Sequence, residues 1–134
     1  MTEARAYLAK MMANCTVPEV SIAINCRADQ LYSWLRGKHK IYTKHARSLA
    51  RYFNVGPENF LDEWYELDPA DTSFGTELRR ERLRMGMSLR EMAYRIGYAD
   101  KTICNWEHNQ IKEKKQEYVW TLVQLVKKDL PEVF

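Results

Sequence analysis

Two stretches of this chain carry apolar residues at helical spacing around one residue that suits a tight turn. In the clearer stretch, SLREMAYRIGYADKTICNWE (residues 88–107), the i, i+3, i+4 spacing predicts two short helices, each buried on one side. The inward positions are Leu89, Met92, Ala93 and Ile96, then Ile103 and Trp106. Gly97 stands between the groups, where glycine adopts a left-handed conformation without penalty. Ser88 and Glu91 form a capping-box pattern, so the stretch is typical of a helix-turn-helix.

The same pattern occurs earlier in the chain, between residues 16 and 36. A shift of 72 residues aligns the two stretches without a gap. Seven residues then fall on Ser88, Glu91, Met92, Ala93, Ile96, Ile103 and Trp106: Thr16, Glu19, Val20, Ser21, Ile24, Leu31 and Trp34. Asn25 falls on Gly97, and asparagine tolerates a positive φ better than most residues. The sequence therefore predicts a tandem repeat.

The rest of the chain fits an all-α fold of two small helix-turn-helix bundles. Further helices are predicted over 3–13, 42–53 and 77–85, with one turn over 60–65. The predicted domains are residues 1–60 and 74–134, joined by an acidic linker over 61–73.

A last helix is predicted over about 117–130, stopped by Pro131. Its main apolar face is predicted to consist of Tyr118, Leu122, Leu125 and Val126, with Val119 and Val123 widening the stripe. This helix could close the second domain, or it could form the interface of a homodimer.

Charge is distributed in blocks along the chain. Residues 1–60 hold nine Lys/Arg against four Asp/Glu, a net +5, and residues 74–134 hold twelve against nine, a net +3. Residues 61–73 hold five Asp/Glu and no Lys or Arg, a net −5. Two basic modules are typical of proteins that bind a polyanion such as nucleic acid.

Composition narrows the class of protein. An apolar content of 46% suffices for packed cores, and neither a long apolar run nor a signal-peptide pattern is present, so we expect a soluble, cytoplasmic protein. The three cysteines lack CxxC spacing and predict no disulfide framework. Neither a metal site nor a cofactor motif nor a catalytic signature is present in the sequence, so an enzyme is the least expected class.

The helix over 100–107 has a polar side as well as an apolar one. With Ile103 and Trp106 pointing inward, five side chains remain to face outward: Asp100, Lys101, Thr102, Cys104 and Asn105. Lysine contacts guanine and asparagine contacts adenine in the major groove, and threonine contacts base edges or a thymine methyl. These residues are the first candidates for reading DNA.

The run FGTELRRERLRMGMSLREMAYRIGYADKTICNWEHN resembles the lambda-repressor/Cro-type (XRE-like) helix-turn-helix family. The resemblance is carried by Leu78, Arg79, Leu83, Gly86, Ser88, Met92, Ala93, Ile96, Gly97, Ile103, Trp106 and Glu107. It implies a compact domain of four or five helices that binds operator DNA and regulates transcription. The family's base-reading positions fall on Leu89 and on the five outward residues above, and its phosphate contacts fall on Arg90, His108 and Asn109.

Two positions depart from the family pattern. Leu89 stands where glutamine is frequent and cannot hydrogen-bond a base. His108 and Asn109 replace the glycine that usually follows the Trp-Glu pair.

The first module resembles the same family more faintly, through Thr16, Val20, Ser21, Ile24, Leu31, Trp34 and Gly37. The resemblance implies that its second helix presents Ala28, Asp29, Gln30, Tyr32 and Ser33. Arg27, Arg36, Lys38 and Lys40 lie nearby in sequence and are candidates for phosphate contacts. The first module would then position the protein while the second specifies the sequence.

These patterns predict a bacterial, phage or mobile-element transcriptional regulator, nucleoid-associated, whose two modules read adjacent half-sites of double-stranded operator DNA. Two alternatives stay open. Residues 1–60 could instead form a protein-interaction or dimerisation module, or the protein could be a DNA-binding accessory factor in replication or excision of a mobile element.

Overall fold

The computed structural model describes residues 2–130, and within that range the chain is all-α. Nine α-helices and one short 3₁₀ helix occur there, without a strand. The chain divides into two compact units, residues 2–66 (unit 1) and residues 67–130 (unit 2). Over the described range, no helix combines the length and apolar character needed to cross a bilayer.

Unit 1 is built around the first predicted helix pair. Its elements are α1 (Glu3–Met11), α2 (Val17–Ala23), α3 (Ala28–Leu35), α4 (Thr43–Phe53), the 3₁₀ helix (Pro57–Phe60) and α5 (Asp62–Tyr65). Helix α3 packs on α2 and α1, and the 3₁₀ helix packs on α1 and α4. Leu8, Val20, Leu31, Leu49 and Phe60 are completely buried in its core.

Unit 2 has four helices. They are α6 (Phe74–Arg84), α7 (Leu89–Ile96), α8 (Asp100–Glu107) and α9 (Glu113–Lys128). Helix α8 packs on α6 and α7, and α9 packs on the same two helices. Met92, Ile103, Trp106, Val119 and Val123 form the centre of its core, so α9 closes this unit.

Both predicted capping boxes are present, and they start α2 and α7. The Thr16 N–H donates to Glu19 Oε1 at 2.6 Å, and the Glu19 N–H donates to Thr16 Oγ1 at 3.3 Å. In unit 2 the Ser88 and Glu91 bonds measure 3.0 and 3.1 Å. Because each box satisfies two amides that lack helical partners, it defines where the helix begins.

The turns inside both pairs are left-handed, as predicted. Asn25 has φ 56° and Gly97 has φ 79°. A Cβ on Gly97 would meet nothing within 4 Å. Glycine therefore suits this position because of the backbone conformation and not because space is short. Gly37 (φ 75°) and Asn109 (φ 65°), also 72 residues apart, turn the chain after α3 and α8.

Helix α9 differs from its prediction in extent and in orientation. It begins at Glu113 and not near 117, because residues 113–116 (EKKQ) are all good helix formers. Its buried residues are Val119 and Val123, and Val126 is partly buried against the same core, as is Leu130 just after the helix. Tyr118 and Leu125, predicted for the main apolar face, are 55% and 57% exposed, so the prediction is wrong for these two residues.

The predicted linker over 61–73 is largely structured. Leu61 is 5% exposed and precedes α5, which packs on α1 in unit 1. In unit 2, Arg80 is buried and donates to the carbonyl oxygens of Asp68 (2.8 Å) and Asp71 (2.7 Å). The hydroxyl of Thr76 donates to Asp71 Oδ2 at 2.7 Å, and this bond is the main cause that lowers the pKa of Asp71 to about 2.

Candidate nucleic-acid interface

Helix α8 is held by its inner face. Ile103 is 1% exposed and Trp106 is 4% exposed, as the spacing predicted. The Trp106 ring contacts the Tyr98 ring edge-on, with centroids 4.8 Å apart. Lys115 Nζ lies 5.3 Å from each of these two centroids, so a cation from α9 covers both rings.

A buried ion pair fixes the end of α8 to α6, and the sequence reasoning missed it. Arg82 Nε and Nη2 donate to the two carboxylate oxygens of Glu107 at 2.7 and 3.0 Å. Arg82 Nη1 also donates to the Met87 carbonyl oxygen at 2.9 Å. The two side chains are 2% and 3% exposed. This bidentate pair orients α8 by geometry as well as by charge.

The outer face of α8 presents the polar side chains that the sequence singled out. Asp100 and Lys101 are exposed, while Thr102, Cys104 and Asn105 are half-buried. The Lys101 N–H donates to Asp100 Oδ1 at 3.0 Å, so Asp100 satisfies an amide of the first turn. Five side chains of different hydrogen-bonding character thus share one accessible face.

The three predicted phosphate contacts of unit 2 differ in availability. Arg90 is exposed in the first turn of α7. His108 is exposed, but its Nδ1 lies 2.7 Å from the Cys104 carbonyl oxygen. Asn109 accepts from the Gly75 N–H at 2.8 Å and donates to Ser73 Oγ at 3.1 Å. Asn109 therefore ties the chain after α8 to the start of α6, which makes it the weakest candidate of the three.

Leu89 packs inward, although the resemblance places a base-reading position there. It is half-buried against the core of unit 2 that contains Met92 and Ile103. Leucine has no group that could hydrogen-bond a base. At this position it contributes to the apolar core instead.

In unit 1, the predicted contacts at the start of α3 engage each other. Arg27 and Asp29 are both well exposed and form an ion pair in which Arg27 Nε lies 3.0 Å from Asp29 Oδ1. The hydrogen bond from Arg27 lowers the pKa of Asp29, and the same bond raises the pKa of Arg27. The charge of Arg27 is therefore partly neutralised before any partner arrives.

The other predicted contacts of unit 1 lie on α3 and in the residues that follow it. Gln30 Nε2 lies 3.3 Å from His45 Nε2, and Ser33 hydrogen-bonds His39. Ala28, Tyr32, Arg36, Lys38 and Lys40 are exposed. The Arg36 guanidinium lies 5.5 Å above the Tyr32 ring. These contacts keep the polar groups of α3 at defined positions on the surface.

Two open clefts border this part of unit 1. One, of about 370 Å³, is lined by α3 and by the loop that contains His39, Lys40 and Tyr42. The other, of about 440 Å³, is lined by the turn around Asn25 and by Lys44 and Arg51 of α4. His39 and Tyr42 were not among the predicted contacts. The run KHKIYTK, in which an aromatic residue stands among basic ones, was the signal for them.

The three cysteines are not bonded to one another. Cys15, Cys26 and Cys104 are free and half-buried, and burial is the main cause that raises the pKa of Cys26. Within residues 2–130, no group of three or more His, Cys, Asp or Glu side chains could hold a metal ion.

Comparison with known proteins adds no relative to this picture. No protein-family model, curated protein or solved structure matches the chain.

Proposed function

We propose that the protein is a DNA-binding transcriptional regulator of the lambda-repressor/Cro type whose two units each carry a helix-turn-helix. The observation that carries the proposal is the construction of α8. Ile103, Trp106 and Glu107 are buried on its inner side, and Asp100, Lys101 and Asn105 face outward. A short helix anchored in this way can enter a major groove without losing its own packing.

The equivalence of the two helix pairs supports a role for both units. At positions 72 residues apart, both have a capping box, a left-handed turn residue and a buried tryptophan. Two recognition helices in one chain would contact adjacent half-sites, and because α3 and α8 present different residues, the site would be asymmetric.

The units would contribute differently to binding. Unit 2 presents Lys101 and Asn105, whose side chains have defined preferences for guanine and adenine. The net charge is +2 in each unit, with nine Lys/Arg against seven Asp/Glu in residues 2–66 and twelve against ten in residues 67–130. The basic residues of unit 1 all precede residue 60, and Lys38 and Arg36 beside α3 are exposed. Unit 2 would therefore specify the sequence, and unit 1 would supply phosphate contacts that hold the protein on DNA.

In vitro selection of duplex DNA with the full-length protein tests this function. We expect enrichment of one asymmetric sequence, followed by footprinting protection over two neighbouring major-groove segments. The absence of any enriched sequence would reject specific recognition, and a perfectly symmetric site for a monomer would reject the division between the units.

We also infer that α9 is a surface for homodimerisation. Tyr118, Leu122 and Leu125 share its outer face at i, i+4 and i+7, and two of them are more than half exposed. An antiparallel pair of α9 helices would bury this stripe of both copies. Such a contact is isologous, as two-fold dimers require.

Light scattering during size exclusion tests the dimer. Full-length protein is expected to have twice the mass of a Leu125→Glu variant. Gln124→Glu, which adds the same charge to α9 at no i±3 or i±4 position from the stripe, keeps the dimer. A monomeric unmodified protein would reject this role of α9 and leave the DNA-binding proposal untouched.

A further inference from the structure

The cleft beside α3 in unit 1 has a composition that major-groove reading does not require. Its volume of about 370 Å³ lies between α3 and the loop leading to α4. Sites for small organic ligands have volumes of roughly 300–1,000 Å³. The cleft is therefore large enough for one nucleobase with its sugar.

An accessible aromatic ring lines the cleft. Tyr42 is 64% exposed, and Lys40 Nζ lies 5.4 Å from its ring centroid. The Lys40 ammonium thus lies over one face of the ring, where it would attract a phosphate, and more than half of the tyrosine surface remains accessible. Flat aromatic rings beside cations are the usual platforms on which proteins stack unpaired bases.

Hydrogen-bonding groups line the same cleft. Gln30, Ser33 and His39 border it, and each is held by a side-chain partner: Gln30 by His45, and Ser33 by His39. An amide has two N–H donors and a carbonyl oxygen, so Gln30 has further capacity beyond its single bond to His45. Donors and acceptors held near an aromatic ring suit the polar edge of a base.

The charge at the rim suits a sugar-phosphate strand. Lys40 and Arg27 line the cleft, and Asp29 beside Arg27 is the one acidic residue in the lining. Since Asp29 pairs with Arg27, the uncompensated positive charge is that of Lys40, with the exposed Lys38 close by in sequence. The rim is therefore net positive.

Unit 2 lacks the aromatic ring and the imidazole at the corresponding sequence positions. A shift of 72 residues replaces Ser33 by Asn105, His39 by Ile111 and Tyr42 by Lys114. The aromatic and imidazole groups thus belong to unit 1 alone. Because the helix pair itself is common to both units, they are not needed to build it.

We propose that this cleft of unit 1 binds an unpaired base of a single-stranded nucleic acid, stacked on Tyr42 and with its phosphate at Lys40. A base in a duplex is already stacked on its neighbours and cannot present its face to a tyrosine, whereas an unpaired base can. This activity goes beyond duplex reading by α8 and does not depend on it.

Fluorescence anisotropy with the full-length protein tests the proposal. The probes are labelled thymidine and uridine oligonucleotides of about 12 nucleotides, and an abasic strand of equal length. We expect the strands with bases to bind about tenfold more tightly than the abasic strand, and free thymidine monophosphate to bind weakest. Equal binding of the abasic strand, or binding of the free nucleotide as tight as that of the strand, would overturn the proposal.

The variant Tyr42→Ala should weaken either strand about tenfold, while Tyr42→Phe, which keeps the ring, should stay within about twofold. Tyr94→Ala is the matched control, since Tyr94 is 88% exposed in unit 2 and should have no effect. Unchanged thermal unfolding of each variant by circular dichroism shows that the fold is intact. If Tyr42→Ala weakened neither strand, the cleft would not be the site.

Failure here can be distinguished from failure of duplex reading. Lys101→Ala should change the selected duplex sequence and leave single-strand affinity within about twofold. Tyr42→Ala should leave the selected duplex sequence unchanged. If Lys101→Ala weakened strand binding as much as Tyr42→Ala does, the strand would lie on α8 and not in this cleft.

Discussion

Units 1 and 2 share a helix pair but fix its second helix by different chemistry. In unit 2, Glu107 at the end of α8 forms a buried bidentate pair with Arg82. In unit 1 the residue equivalent to Glu107 is Leu35, which is half-buried. There, Arg5 Nε from α1 donates to the Leu35 carbonyl oxygen at 2.6 Å. The caps, the turn and the inward tryptophan therefore define the pair, while its anchorage to the first helix of the unit can be a buried ion pair or a hydrogen bond to a carbonyl oxygen at the helix end.

The largest difference between the units should appear when the anchor is broken. Glu107→Ala leaves Arg82 buried without its carboxylate, which should cost about 3–5 kcal/mol of unfolding free energy. Leu35→Ala in unit 1 should cost less than about 2 kcal/mol, because Leu35 is only half-buried. Urea unfolding measures the loss of unfolding free energy in each variant, and hydrogen exchange shows which unit has been destabilised.

A double variant sharpens the same comparison. Arg82→Met with Glu107→Leu replaces the ion pair by apolar side chains, with leucine at the position that Leu35 holds in unit 1, and should recover most of the stability lost in Glu107→Ala. If the double variant were as unstable as Glu107→Ala, the ion pair would be required in unit 2 and apolar side chains could not replace it.

The next effect concerns DNA. Lys101→Ala should reduce affinity for the selected site by about 1–3 kcal/mol and relax the base preference at one position. Arg36→Ala in unit 1 should weaken binding to every sequence and lower the salt slope by about one. Sequencing of the selected DNA pools measures the base preference of Lys101→Ala, and titrations at several salt concentrations measure the salt slope of Arg36→Ala. A selection profile unchanged by Lys101→Ala would contradict the specifying role of unit 2.

The turn residues give a smaller effect. Gly97→Ala places a Cβ at φ 79° and should cost about 1–2 kcal/mol, although the space around it is open. Gly97→Asn, which imitates Asn25 of unit 1, should lose less than about 1 kcal/mol. Thermal unfolding compares them, and equal losses for alanine and asparagine would show that the backbone conformation is not the constraint.

The smallest predicted difference is in pH dependence. Burial, and then the charge of Lys44, lowers the pKa of His45 in unit 1 below 6.5. The unfolded chain then binds a proton more readily, so stability is lost as pH falls from about 6.5 through the folded pKa. Hydrogen exchange at about pH 7.5 and about pH 5.5 should show a weakening of unit 1 that His45→Gln reduces. If His45→Gln did not change the pH dependence of unit 1, another group would be responsible.

Local features of the chain could be predicted from the sequence because they depend on neighbours within four residues. The capping boxes at Thr16 and Ser88 and the left-handed turns at Asn25 and Gly97 are of this kind. The inward positions Leu31, Trp34, Ile103 and Trp106 followed from helical periodicity alone. The polar outer face of α8 followed from the same periodicity.

Other features were decided by contacts between distant residues. Helix α9 carries two apolar stripes of similar strength, and only packing on α6 and α7 selects Val119 and Val123 for the core. Nothing in the run ELRRERLR indicates which arginines are buried, and Arg82 is buried because it pairs with Glu107, 25 residues further along the chain. Likewise, Tyr42 and Gln30 border one cleft only because the loop after α3 folds back beside that helix. Periodicity tells which sides of a helix can be buried, but a partner surface decides which side is.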